Sequence, residues 1–264
     1  MPNRDNPFTQ APDVLPVRRV DVRRPLVWLR LGWRDLKRNP WVSLLQGFVI
    51  AAAGVVILAA SFEHWYLLPG TFSGFVLVGP ILATGLYEQS RLISRGKRPT
   101  LRDAIHAWQR GTRPLVWLGL LLGLAGTLWV LFSAGMFALF VNMPIDGPMG
   151  FLRHVVVTQP NYMFLLWSIA GGLGAALVFA ATAVSPPLLL GRIISLRAAI
   201  LTSVRAVGDN ALAMALWATI IMTATALSFA TAMLGFIITV PVLGHATWHA
   251  YRDLVDTSSV PKRY

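Results

Sequence analysis

The sequence predicts an all-α protein: a polytopic transmembrane helical bundle of six spans, with amphipathic interfacial helices on the cytoplasmic face. Three observations lead there. Of 264 residues, 55% are hydrophobic and only 13% charged, against about a quarter charged in a soluble domain, and the mean hydropathy is +0.60. The apolar residues fall in runs of about 20, the length that crosses the hydrocarbon with every backbone amide satisfied inside its own segment. The Lys and Arg behind the net charge of +12 lie in clusters between those runs, the pattern of membrane topology rather than of nucleic-acid binding. No nucleic-acid partner is therefore expected. With no Cys in the chain, disulfides, thiolate metal sites and thiol catalysis are excluded.

The elements follow in order. Residues 1–24, dotted with Pro2, Pro7, Pro12 and Pro16, are expected to form a disordered cytoplasmic tail, because they hold too little apolar surface to offset ordering entropy. The first long apolar run begins only at Trp41, and no early apolar region with a small-residue cleavage site precedes it, so the first span is expected to stay in the membrane. A six-span domain over 25–255 and a second tail over 256–264 complete the expected organisation.

Trp41 to Phe62 and Tyr66 to Gln89 form the first pair of spans, joined by an outer hairpin at Glu63-His64-Trp65. Leu115 to Val141 and Tyr162 to Leu190 hold no charged residue and form the second pair, with Asp146 and a partly apolar segment, 147–160, outside. The uncharged stretch from Asn210 to Ala250 is too long for one crossing and divides into 211–228 and 233–250. Counting basic residues supports the division: nine precede Trp41, seven lie from Arg91 to Arg113, three from Arg192 to Arg205 and three from Arg252 onward, which is 22 of 23 on one side with only Arg153 on the other. Five spans would place the last three outside, against the positive-inside bias. Both termini are thus expected in the cytoplasm.

The inner loops carry helical patterns of their own. Thr100 opens a capping box ahead of Leu101, Ala104, Ile105 and Trp108, which share a helical face, while Arg102, Gln109, Arg110 and Arg113 lie mostly away from it. Ser195-Leu196-Arg197-Ala198-Ala199-Ile200 repeats that register, with Arg205 where Arg110 stood. Before the first span, Leu26, Leu29, Trp33 and Leu36 fall on one face and Arg30, Arg34 and Lys37 on another; these three cations are the expected contacts for anionic lipid headgroups. Return spans carry Pro80, then Pro186 and Pro187, then Pro241. The pattern fits a threefold repeat of amphipathic helix plus two spans, and it equally fits the general liking of inner-face helices for Arg and Trp and the tolerance of spans for Pro.

Three stretches carry a family resemblance: Leu29-Arg30-Leu31-Gly32-Trp33-Arg34-Asp35-Leu36, Gly79-Pro80-Ile81-Leu82-Ala83-Thr84-Gly85-Leu86-Tyr87-Glu88, and Gly244-His245-Ala246-Thr247-Trp248-His249-Ala250-Tyr251-Arg252-Asp253-Leu254. From about Val22 to Val255 the chain resembles the bacterial membrane family catalogued as domain of unknown function 2189. That resemblance implies a proteobacterial inner-membrane protein of unassigned activity; some relatives bear a cytochrome c oxidase subunit label.

The residues limit that label. A haem-copper catalytic subunit needs about six histidines within its spans, and this chain has five in all, of which only His245 and His249 lie in or beside a span. Their i, i+4 spacing could present both to one ligand, yet two ligands do not close a site, so packing or interfacial roles are expected, with no metal and no cofactor. No catalytic residues emerge, and no phosphate-cradling loop or nucleophile elbow is present. Gly119, Gly123 and Gly126, and Gly171, Gly172 and Gly174, are spaced for close helix approach.

The expected functional surface is a cytoplasmic-face cluster of Tyr87, Glu88, His245, His249, Tyr251, Arg252 and Asp253. Half-buried Glu88 would need a cation, with Arg252 the first candidate and His249 or an Arg of the 91–113 loop as alternatives. The leading functional expectation is a non-enzymatic scaffold, assembly factor or accessory subunit of a membrane complex, in contact with anionic lipids; the alternative is a small-solute transporter or channel.

Overall fold

The computed structural model describes residues 13–61, 67–109, 112–140 and 162–263. The expected outer hairpin at Glu63-His64-Trp65, the outer segment 147–160 with Arg153 and His154, Asp146, Arg110 and the side chain of Trp108 lie outside the described residues.

Three times a short helix runs almost directly into a long apolar one. Helix α1 (Arg24–Arg38) precedes α2 (Pro40–Ser61); later come α6 (Leu101–Gln109) and α7 (Arg113–Phe140), then α10 (Leu196–Asp209) and α11 (Ala211–Ala230). Each return segment carries proline. The first is cut into α3 (Leu68–Leu77), α4 (Gly79–Leu82) and α5 (Thr84–Ile93), the second into α8 (Tyr162–Thr182) and α9 (Ser185–Gly191), and the third, α12 (Phe236–Leu254), passes unbroken through Pro241. Among the described residues, four stretches are long and apolar enough to cross a membrane: Pro40–Ile57, Arg113–Phe140, Tyr162–Gly191 and Ala211–Ala230. The second and sixth expected spans are not among them, because α3 to α5 is fragmented and the second half of α12 carries two His, an Arg and an Asp.

Capping follows the sequence signals. The Thr100 hydroxyl accepts from Asp103 N–H at 3.3 Å while the Asp103 carboxylate accepts from Thr100 N–H at 2.8 Å, a reciprocal box at the start of α6. Ser195 caps α10 by accepting from Ala198 N–H at 3.2 Å.

The chain forms two compact units. One comprises residues 53–79 and 120–178 and is held by indole donors: Trp129 Nε1 donates to Ser73 Oγ and Trp167 Nε1 to Ser133 Oγ at 2.9 Å, with the two indoles 5.6 Å apart. Glycine use here is selective. A Cβ on Gly171 would sit 2.9 Å from the Trp129 ring, whereas Gly123, Gly172 and Gly174 face open space within 4 Å, so the expectation of close approach fails at those three positions.

The other unit comprises residues 1–52, 80–119 and 179–264. Its core centres on Trp28 and Trp217, both fully buried and edge-to-face at 5.9 Å. Helix α1 lies against α12 so tightly that a Cβ on Gly32 would come 2.7 Å from Ala246 N. A similar approach occurs at Gly47 of α2, where a Cβ would be 2.9 Å from the carbonyl carbon of Ile237. Pro241 has no N–H to offer the carbonyl four residues back, which leaves that carbonyl uncovered where Gly47 passes.

The packing faces in this unit are not the most apolar ones. The buried face of α1 is Pro25, Trp28, Gly32, Asp35 and Leu36, whereas Leu26 and Trp33 are exposed beside Arg30, Arg34 and Lys37. A large apolar side chain in a membrane protein gains as much from lipid as from protein, so shape at Gly32 rather than hydrophobicity chose the packing face. In α6 and α10, likewise, alanines are buried while Leu101, Ile105, Leu201 and Val204 are exposed.

The expected disorder of residues 1–24 does not hold for 13–24, and the second tail is docked as well. Leu15 is fully buried, its N–H donating to Thr202 Oγ1 at 3.0 Å; Arg18 N–H donates to Leu254 O, and Asp256 N–H donates to Pro16 O. Residues 261–263 bond in turn to 191–193, through Ile193 N–H to Pro261 O and Arg263 N–H to Gly191 O. Each terminal segment supplies extended backbone that another segment satisfies, which composition alone does not reveal.

Candidate functional site

Helices α1, α2, α5 and α12 converge on a buried string of polar side chains. His249 Nε2 lies 2.8 Å from Asp35 Oδ2, and Ser90 Oγ donates to the same oxygen at 2.9 Å. Ser90 Oγ also lies 2.8 Å from His245 Nδ1, and Ser43 Oγ lies 3.0 Å from His245 Nε2. Beyond Ser43 the string passes to Gln89 Oε1 at 2.9 Å, then from Gln89 Nε2 to Gln46 Oε1 at 3.2 Å, and ends where Gln46 Nε2 donates to Leu82 O at 3.3 Å, at the break between α4 and α5. Asp35, Ser43, Gln89, Ser90 and His245 are each 1% exposed or less.

The amide and Ser43 directions follow from the carbonyl end. Backbone carbonyls only accept, so Leu82 O and Pro99 O fix the amide nitrogens of Gln46 and Asn39 toward them. Asn39 Nδ2 also donates to Gln89 Oε1 at 3.1 Å, which makes that oxygen an acceptor and Ser43 its second donor. The single Ser43 proton is then spent, and Ser43 must accept from His245 Nε2–H. At the other end the Ser90 hydroxyl, which donates to Asp35 Oδ2, also lies against His245 Nδ1, so both ring nitrogens of His245 are enclosed by hydroxyls.

Asp35 responds to the same surroundings. Burial pushes its carboxyl up, but the hydrogen bonds from His249 and Ser90 and the nearby imidazoles outweigh burial and hold it below its ordinary value of 3.8.

The remaining expected residues divide. Glu88 pairs with Arg91, three residues on in α5, at 2.6 Å from Nε to Oε2, and both side chains are at least nine-tenths buried; Arg252, the first candidate, is instead exposed. Tyr87 is buried and donates to Pro80 O at 3.1 Å. Asp253 accepts from Arg24 Nε at 2.6 Å and Trp28 Nε1 at 2.7 Å. Tyr251 packs on Trp248 at 5.3 Å. The inner ends of α5 and α12 do meet, through Ser90 and His245 and at Gly244, where a Cβ would lie 2.6 Å from Leu86 Cδ1. Arg30, Arg34 and Lys37 are all exposed, with Lys37 5.5 Å above the Trp33 ring.

Sequence reasoning missed Asp35, Ser43, Gln89 and Ser90 as members of the site. A signal was present. Gly32 and Asp35 lie in the first family-like stretch and His245 and His249 in the last, and these two stretches are the two sides of one contact. The i, i+4 spacing of the histidines does put them on one face, but that face meets Asp35 and Ser90, and neither nitrogen of His245 is left open.

Chemically, the string can pass a proton from His249 to Ser43 and no further, since the amides of Gln89 and Gln46 do not titrate. Arginine on phosphate, nucleophile activation and oxyanion binding have no counterpart in it. Its strength lies in fixing four helices at one depth.

No curated protein and no solved structure matches the chain. Residues 67–191 match the sequence model of the family described as "Predicted integral membrane protein (DUF2189)", a narrower region than 22–255 that contains Gln89 and Ser90 but neither Asp35 nor His245. This protein is an integral membrane protein, all-α and polytopic among the described residues, and its segment 67–191 is similar to the predicted integral membrane family DUF2189.

Proposed function

We propose that this protein is a non-enzymatic scaffold, assembly factor or accessory subunit of a complex in the bacterial cytoplasmic membrane, respiratory complexes being the first to test. The observation that carries the reading is the saturated string from His249 to Gln46: its polar groups are consumed by one another and hold helices together, leaving none aimed at a substrate. Exposed Leu26 and Trp33 beside Arg30 and Arg34, which make no ion pair among the described residues, supply surface for anionic lipid and for a protein partner. The reading includes six spans, with the fragmented segment 68–93 and α12 as the second and sixth, and cytoplasmic termini, supported by 22 of 23 basic residues on one side.

A second reading, a small-solute transporter or channel, draws on the break at Leu82, where a span's carbonyl is satisfied by a side chain rather than by its helix. Purification of the native complex in mild detergent decides between them. A stoichiometric membrane partner supports the scaffold, whereas solute uptake by the protein alone in liposomes overturns it. Topology is tested on the Cys-free chain with Ser258→Cys: labelling from the periplasmic side would refute six spans.

A further inference from the structure

An apolar groove of about 500 Å³ runs between α1, α11 and α12, within the roughly 300–1,000 Å³ of small-molecule sites. Its walls include Ile220 and Ala224 of α11 and Ile238 and Val242 of α12, and its rim carries Arg30 and Trp33 of α1. Helix α11 is one of the stretches apolar enough to cross the membrane. Ala224 lies seven residues past Trp217, the α11 residue that meets Trp28 of α1, or about 10 Å further along the helix. The groove therefore opens toward hydrocarbon, not toward water. Among its lining residues Arg30 is the sole charge, and it makes no ion pair among the described residues. Asp35 of α1 and Asp253 of α12 are engaged elsewhere, Asp35 by His249 and Ser90 and Asp253 by Arg24 and Trp28.

We infer that this groove is a binding site for one anionic phospholipid, an acyl chain lying along Ile220, Ala224 and Val242 and the phosphate meeting Arg30. The inference rests on the anionic-lipid contact proposed above and narrows it to one place. An indole at the rim suits the boundary between headgroup and chain, where one end of the ring is apolar and the other polar. Arg34, one turn on and exposed, adds to the positive potential at the rim. Other basic positions on short helices, Arg102 of α6 and Arg197 of α10, are exposed as well but line no such groove, and they provide the comparison.

The test uses the full chain, reconstituted in mixed phosphatidylglycerol and phosphatidylcholine vesicles, extracted into mild detergent and examined by native mass spectrometry. One phosphatidylglycerol should stay bound per chain in preference to phosphatidylcholine. Arg30→Gln, an exposed change that leaves the core intact, should cut that preference by about fivefold. Ala224→Leu, which fills the groove from an already apolar wall, should remove the retained lipid of either kind, while Arg102→Gln and Arg197→Gln should leave it in place. Wild-type protein with no preference for phosphatidylglycerol would overturn both the site and the broader anionic-lipid contact. Preference that survives Ala224→Leu yet falls with Arg102→Gln or Arg197→Gln would overturn the groove alone.

Discussion

Replacing Asp35 by Asn leaves the shape of the buried string unchanged and removes its negative charge. Asp35 Oδ2 accepts from His249 at 2.8 Å and from Ser90 at 2.9 Å. Hydrogen bonds to charged groups contribute about 1.5–3 kcal/mol and neutral ones about 0.5–1.5 kcal/mol, so converting two should cost about 2–3 kcal/mol. Thermal unfolding in detergent, followed by the fluorescence of the chain's ten Trp, should show a Tm lower by about 4–12 °C for a chain of this size. His245→Asn combined with Asp35→Asn should cost less than the two singles together, because they disrupt one network. A Tm change under about 1 °C, or strict additivity, would refute the argument that the Asp35 carboxylate and its string fix the helices.

The other predictions concern neighbouring features. Gly47→Ala should destabilise by about 1–3 kcal/mol, because its Cβ would meet the Ile237 backbone, while Gly123→Ala, facing open space, should be neutral or stabilising by up to about 1 kcal/mol; equal Tm values for the two would contradict the close approach. The Asp35 carboxyl has a folded value below the ordinary 3.8, so its contribution is complete above 3.8 and is lost as pH falls through the lower folded value; acid unfolding of Asp35→Asn should accordingly be shallower over that window. Glu88→Gln and Arg91→Gln should each lower stability, and Glu88→Gln with Arg252→Gln should be additive, since Glu88 pairs with Arg91 and Arg252 is exposed. Coupling between Glu88 and Arg252 in a double-mutant cycle would reverse that assignment.

Sequence periodicity located the helices well because helix formation in a membrane is imposed locally, by backbone groups that have no water to turn to. The Thr100 and Ser195 caps were legible for the same reason: cap and donor are three residues apart. The partners of the site were not. Asp35 and His249 are 214 residues apart, and their meeting depends on the register set by Gly32 against Val242 and Ala246, which no local pattern encodes. The buried face of α1 is not its more apolar stripe, because the rule that such a stripe packs inward presumes water outside. Where the outside is lipid, Leu26 and Trp33 can face it, and a glycine and a paired carboxylate can turn inward.

The extended segment around Leu15 has a consequence for biosynthesis. Its hydrogen-bond partner Thr202 is made 187 residues later, which at about 5–20 residues per second means a wait of about 10–40 s. Arg18 waits longer still, for the carbonyl of Leu254. By the time Leu254 emerges, every described apolar helix has left the ribosome and can have entered the bilayer, so complete docking of residues 15–20 follows insertion and cannot guide it. A protease site engineered at Arg19 would be cut in nascent chains and protected in finished ones, making that short segment a clock for the completion of the membrane domain.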